Sequence, residues 1–209
     1  MRVLVACEYS GVVRRAFRER GHSAWSCDLL PPLDNSNYHF QCDITQLLEN
    51  TRQEKGNCWD LIIAHPPCTY LTVVGNAHYA DKPELFIPAM EFARSFFEYA
   101  ERVCVENPIG RLSSLWRKPD QIIQPYEFGD NASKKTCLWL KNLPRLVPLE
   151  DQRVQGRMVE YPKSYGRMVE RWDNQTDSGQ NRLGPSEDRS SLRSITYQGI
   201  AKAMAEQWG

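Results

Sequence analysis

Five short apolar runs punctuate the first half of the chain, and each closes on polar or acidic residues. RVLVAC runs into Glu8, HSAWSC into Asp28, YHFQC into Asp43, LIIA into His65 and Cys68, and VCV into Glu106 and Asn107. Helical patterns lie between them. VVRRAFRERG sets Val12, Val13, Ala16 and Phe17 on one face, with Gly21 as a stop. ITQLLENTRQ reads as helix, and residues 84–102 predict a longer one with Pro88 in its first turn. PYEFG and TCLWLKNL read as two further extended pieces. Strands alternating with helices specify an α/β sheet with right-handed crossovers, and ligands of such sheets sit beyond the carboxyl ends of the strands. One acid at one strand end means little; polar chemistry at five strand ends points to a single site.

Composition narrows the class. A chain of 209 residues suits one domain with at most a small appendage, and 41% hydrophobic residues can supply a core. Lys plus Arg (26) balances Asp plus Glu (26), so any nucleic-acid surface must be local. No apolar run approaches the roughly 18 residues of a membrane span, and MRVLVACEYS lacks a signal pattern. The expectation is a cytoplasmic protein without a membrane partner. The seven cysteines are odd in number and contain no C-x-x-C pair, which argues against a zinc site and against a disulfide framework, and no metal is expected.

From Lys141 to about Ser191 the periodicity fades, and GRMVE occurs twice, at 156–160 and 166–170. A ten-residue repeat is too short for a solenoid and reads as a hairpin or loop pair. Order returns in SLRSITYQGIAKAMAEQWG, a helix-like ending.

Cys68 sits where a core thiol would not, directly behind Pro66 and Pro67 at the end of a buried strand. Two prolines stiffen the turn and hold the side chain off the strand axis. A thiolate is a good nucleophile and leaving group, suited to reversible covalent attack. Glu106 ends the strand after the next helix, and such strands are often neighbours in a parallel sheet. A carboxyl group beside a nucleophilic thiol suits attack on a ring whose nitrogen must be protonated or hydrogen-bonded, such as a pyrimidine at its 5,6 double bond.

HPPCTYL followed by VCVENP, behind a strand–EYSG–helix start, resembles the DNA cytosine-5 methyltransferases. The family's five stations appear in order over about 140 residues and the last helix: a cofactor loop, two acids, Pro-Cys and Glu-Asn. QPYEFG, KKTCLWLKNLP and RSITYQGIAKAMAEQWG look like small phage-type members. The resemblance implies a Rossmann-like, S-adenosylmethionine-dependent methyltransferase fold with a mostly parallel sheet. Residues 1–141 would bind cofactor and catalyse, 142–190 would form a small target-recognition insert, and 191–209 would return as a helix to the catalytic domain. It further implies double-stranded DNA as partner and S-adenosylmethionine as methyl donor. Cys68 would attack cytosine C6, Glu106 would hold N3 and the amine, and Asn107 would fix the turn bearing Pro67 and Cys68. Glu8, Tyr9, Ser10 and Gly11, together with Pro66, would line the cofactor site. Asp28 would take the ribose hydroxyls and Asp43 the adenine amine. Lys134, Lys135 and Thr136 stand near the place of the family's Arg-x-Arg.

The chain also departs from the pattern. CEYSGV offers one glycine where the family loop has several, His65 stands where glycine is common, and Thr69 stands where glutamine is usual. Three other readings compete. A folate-dependent pyrimidine enzyme of the thymidylate synthase type also uses Pro-Pro-Cys, but its following histidine is replaced here by Thr69. An amino-methyltransferase would carry an acid or amide before Pro-Pro and an aromatic after it. A non-catalytic relic of the fold would keep neither Cys68 nor Glu106. A modified donor or a free nucleotide substrate also fits the residues. Bland roles are expected for His65 (structural), Glu8 (loop acid or cap), Trp139 and Trp172 (packing), and Arg14, Arg15, Arg18 and Arg20 (a wet helix face). Asp28 and Asp43 divide evenly between caps and ligands.

Overall fold

The computed structural model describes residues 1–56, 58–73, 79, 81–148, 150–161, 165–186 and 189–209. Its centre is a seven-stranded sheet of β1 (Arg2–Ala6), β2 (Ser23–Asp28), β3 (His39–Gln41), β4 (Trp59–Ala64), β5 (Ala100–Pro108), β6 (Gln121–Ile123) and β7 (Thr136–Lys141). The spatial order is β3-β2-β1-β4-β5-β7-β6. The first five strands pair in parallel, and β7 runs antiparallel to both β5 and β6. This is the expected α/β architecture with a mostly parallel sheet, its order reversing at β1 beside β4.

Both faces of the sheet are covered, so its strands read as continuous apolar runs rather than alternating ones. The alternation is still present in the packing. Val3, Val5, Leu61, Ile63 and Cys104 face one core layer with Val13 and Phe17 of α1 (Val12–Glu19). Leu4, Ala6, Ile62, Ala64 and Val105 face the other, with Leu48 of α2 (Ile44–Lys55) and Ala93 of α3 (Pro83–Ser95). The terminal helix, α6 (Gln198–Trp208), packs Ile200, Met204 and Trp208 into the first layer. Trp208 is fully buried and donates its indole N–H to Pro144 O; burial of a large side chain of this kind contributes about 1.5–3 kcal/mol.

Three local expectations are corrected. The helix expected over 84–102 ends at Ser95, followed by one 3-10 turn at Phe96–Glu98. Ala100 already pairs with Trp59, so sheet pairing overrides the helical pattern of the last residues. Pro83, not Pro88, occupies the first turn, and Pro88 lies inside the helix. PYEFG is not extended: Pro125–Phe128 forms a 3-10 turn closed by a Gln124–Glu127 capping box, and the strand beside β7 is Gln121–Ile123.

The two GRMVE copies supply the two strands of one antiparallel hairpin, β8 (Arg157–Glu160) and β9 (Met168–Arg171), with Val159 opposite Val169. Trp172 anchors it, stacked on Tyr126 at 3.9 Å between ring centroids and donating to Val154 O. Short helices occur at α4 (Leu112–Leu115) and α5 (Arg189–Ser194). Of the expected insert, residues 149, 162–164 and 187–188 lie outside the described residues. Among the described residues no helix is long and apolar enough to cross a membrane.

Candidate active site

The register of β4, β5 and β7 decides which side chains meet. Ala64 is paired with Val105 in parallel, so the next residues, His65 just beyond β4 and Glu106 still within β5, lie side by side. Alternation puts both on the face that carries Ile63 and Cys104. Antiparallel pairing of β5 with β7 sets Leu138 opposite Glu106 and Thr136 opposite Pro108, which brings the start of β7 to the end of β5. His65, Glu106 and Thr136 thereby converge on one side of one strand end. A one-residue slip in either pairing would scatter them.

His65 Nδ1 lies 3.1 Å from Glu106 Oε2, and the two side chains are only 8% and 14% exposed. Burial pushes the Glu106 carboxyl up. The His65 hydrogen bond, the Lys134 charge and the Thr136 hydroxyl outweigh it and hold the group below its ordinary value. Asn107, buried beside it, donates its side-chain amide to Pro66 O at 2.9 Å and so ties the end of β5 to the proline turn. Pro66 is buried, Pro67 is exposed, and Cys68 is half-buried. The turn closes as Leu71 N and Thr72 N both donate to Cys68 O. It is pinned from the other side by Arg111 N, which donates to Leu71 O at 2.7 Å. Gly110 makes that approach feasible: a Cβ there would overlap the Leu71 carbonyl.

Cys68 is within electrostatic reach of Glu106. Burial raises its thiol pKa, the Glu106 charge raises it further, and the cations of Lys134 and Arg193 pull it back. Lys134 is half-buried, with its ammonium donating to Arg193 O at 2.8 Å, whereas Lys135 is exposed. The Thr136 hydroxyl also reaches Lys134 O at 3.1 Å.

The candidate cofactor residues gather at the ends of β1, β2 and β3. Cys7 takes a positive φ of 57° at the exit of β1, and Gly11 takes 68° at the entrance to α1. At Gly11 a side chain would strike the Arg14 guanidinium. Glu8 is 4% exposed, and its carboxylate accepts from Val13 N at 2.7 Å and Arg14 N at 3.3 Å, so it caps α1. Ser10 is buried beside it and donates to Glu8. Tyr9 is half-buried and donates its hydroxyl to Ser191 O. Asp28 accepts from Leu30 N, and Asp43 caps α2 by accepting from Thr45 N and Gln46 N. Burial raises the Cys7 thiol to about 12, and the charges of Asp28 and Asp43 add to it. Among the described residues no group of three or more His, Cys, Asp or Glu could hold a metal ion.

No protein-family model matches the sequence, and no curated protein matches it. Among solved structures it is similar to a candidate DNA modification methyltransferase encoded within a prophage (E. coli), at 15% identity and a TM-score of 0.43. The alignment covers 67% of this chain and 46% of that one, so the chain matches less than half the length of that structure. The fold assignment rests on the strand order itself.

Two site residues escape the sequence. His65 has the role of Glu106's partner rather than of a core histidine, a placement that the parallel register alone determines. Arg193 reaches the Cys68 environment from α5, more than a hundred residues away, and no local pattern marks it. Arg14, expected on a wet face, is fully buried, donating to Ser26 Oγ and paired with Asp34. Arg18 lies over the Tyr38 ring, which leaves Arg15 and Arg20 more exposed on that helix.

Proposed function

We propose that the protein methylates cytosine at C5 in double-stranded DNA, through a covalent Cys68–C6 adduct on a base flipped out of the duplex. The observation that carries this reading is the position of Cys68 and Glu106 at the ends of adjacent parallel strands, with Asn107 tying the intervening turn in place. At rest the thiol is held protonated, because burial and the Glu106 charge both oppose its ionisation. When Glu106 is neutralised against N3 of the base, that opposition falls and Lys134 and Arg193 favour the thiolate. Substrate binding and nucleophile activation are thereby coupled.

The thiol proton leaves to solvent, sulfur adds to C6, and the ring electrons shift to C5 while Glu106 hydrogen-bonds N3. Once C5 carries the methyl group, loss of the C5 proton to a base and departure of the thiolate restore the aromatic ring. S-adenosylmethionine, when bound, supplies the methyl group from its sulfonium. The residues fit that donor: Asp28 ends β2 and Asp43 follows the adjacent β3, and the ribose hydroxyls and adenine amine are hydrogen-bond donors. Leu29, Leu30 and Leu33 are exposed in the same loop and offer an apolar surface to the adenine. Glu8 serves this site by capping α1 rather than by touching the donor. Lys134, Lys135 and Arg193 supply phosphate contacts, and residues 142–190 carry target recognition. The setting is the cytoplasm of a bacterial or phage-infected cell.

The test is incubation with tritiated S-adenosylmethionine and a duplex carrying 5-fluorocytosine, followed by denaturing electrophoresis. Fluorine at C5 blocks the final elimination, so a labelled protein–DNA band is expected from the wild type and none from Cys68→Ala. Equal bands from both would refute Cys68 as nucleophile. No band from a folded protein that binds the donor would move the substrate to RNA or a free nucleotide. No band and no donor binding would favour a non-catalytic relic or another donor.

A further inference from the structure

His65 occupies a position that a backbone-only role would leave to a small residue, yet its imidazole is aimed at the carboxylate on which the chemistry depends. Nδ1 is 3.1 Å from Glu106 Oε2, and the ring is 92% covered, its side chain being 8% exposed. The other ring nitrogen, Nε2, is buried and makes no hydrogen bond among the described residues. A second buried carboxylate, Glu8, feels the imidazole electrostatically from the β1–α1 loop. The imidazole thus lies within hydrogen-bond reach of one buried carboxyl group, Glu106, and within electrostatic reach of a second, Glu8. Its backbone is fixed as well, since His65 N donates to Ala6 O at 2.9 Å.

We propose that His65 is a positioning residue that holds Oε2 of Glu106 and lends it the proton that Glu106 passes to N3 of the target base. The inference rests on the cytosine-5 reading given above. The proton balance is closed. With the imidazole doubly protonated, its Nδ1 proton moves to Glu106, leaving a neutral imidazole and a neutral acid. As sulfur bonds to C6, N3 takes that proton and Glu106 becomes a carboxylate. On elimination N3 returns the proton through Glu106 to Nδ1. No oxidant or further reactant is needed, and neither partner changes its net charge over the cycle.

The titratable and charged groups that interact with this pair come from every neighbouring element: Glu8 from the β1–α1 loop, Cys68 from the proline turn, Cys104 from β5, Lys134 before β7, Cys137 on the opposite face of β7, and Arg193 from α5. Imidazole is the side chain that ordinarily changes charge between about pH 5 and 8. The thiols titrate above that window, since burial raises Cys68, Cys104 and Cys137 alike. Thiolate formation accordingly raises the rate with pH in every variant that keeps Cys68, so the His65–Glu106 pair is read from the ratio of wild-type to His65-variant rates, in which that common rise cancels.

The experiment compares wild type, His65→Asn and His65→Ala for the rate of adduct formation with the 5-fluorocytosine duplex across that pH range. Melting temperature and donor binding serve as controls for folding. Asn keeps a side-chain N–H near the place of Nδ1 but does not titrate, so it separates holding from proton supply. The ratio of the wild-type to the His65→Asn rate is expected to be about 10 to 100 at the acid end and to fall by about tenfold toward the alkaline end, with His65→Ala slower still. A folded His65→Asn with the wild-type rate and profile overturns the proposal, as does an equal loss in both variants with the profile unchanged. An arm independent of activity is the proton NMR titration of the His65 ring in wild type and Glu106→Gln. The titration curves of the ring are expected to differ between the two proteins, and identical curves overturn the coupling. Absence of any adduct from wild type at every pH refutes the cytosine-5 reading instead, and the NMR arm then decides the coupling by itself.

Discussion

Replacement of Gly110 by alanine tests whether the proline turn is held by close backbone approach. The new methyl group would overlap Leu71 O, which currently accepts from Arg111 N at 2.7 Å, and would press on Thr72, bridged to Gly110 across the same contact. Relief requires the 71–72 backbone to move away, and with it the two amides that close on Cys68 O. Loss of two or three backbone hydrogen bonds, each worth a net of about 1 kcal/mol, amounts to about 2–3 kcal/mol. In a chain of this size that lowers the melting temperature by about 5–10 °C. The chemical effect is larger, because a displacement of about 1 Å at a reacting atom costs on the order of a hundredfold in rate. Differential scanning fluorimetry and the rate of adduct formation with 5-fluorocytosine DNA measure the two terms separately. Gly184→Ala is the control, since a Cβ there meets nothing within 4 Å, and it should be neutral in both assays. A Gly110→Ala protein that melts within a degree of wild type and forms adduct at the wild-type rate would show that this contact does not fix the nucleophile.

Asp43 combines helix capping with the proposed adenine contact, and two variants separate them. Asp43→Ala should cost about 1 kcal/mol of stability and weaken S-adenosylmethionine binding. Asp43→Asn keeps a cap, so calorimetry should find weaker binding at nearly unchanged melting temperature; equal binding in wild type and Asp43→Asn would remove the residue from the cofactor site. Acid sensitivity is expected at Asp34. Burial pushes its carboxyl up, but Arg14 and Arg15 outweigh it and hold the group at about 2 against an ordinary 3.8. A depressed carboxyl stabilises the fold above its unfolded value and loses that contribution as pH falls through the folded one. The stability gap between wild type and Asp34→Asn, measured by urea unfolding, should be about 2 kcal/mol at pH 6 and vanish toward pH 2. A gap that stays constant over that range would contradict the assignment.

Much of the sheet was legible because doubly covered parallel strands write themselves as unbroken apolar runs, each ending where water and ligand begin. The order of Glu8, Asp28, Asp43, Cys68 and Glu106 could be read in the same way. What failed was whatever depends on a partner distant in sequence. Arg14 carries the pattern of a solvated helix residue, yet Ser26 and Asp34, from β2 and the loop after it, make its burial possible. The tail of the helix after Pro83 keeps its apolar period through Tyr99, but the pairing of Ala100 with Trp59 claims those residues for strand geometry.

His65 joins both cases. Its place at the end of an apolar run was evident, and its chemistry was not, because the residue that gives it meaning is Glu106, 41 positions away. Parallel register supplies the link: once Ala64 lies beside Val105, no freedom remains about what His65 meets. Function in this fold is therefore written at two removes, first in which residues close the strands and then in which strands lie side by side. The thiol, the acid and the amide that anchors the turn can be found at the first level. The imidazole belongs to the second, and so does Arg193, whose approach to Cys68 depends on how α5 returns over the site.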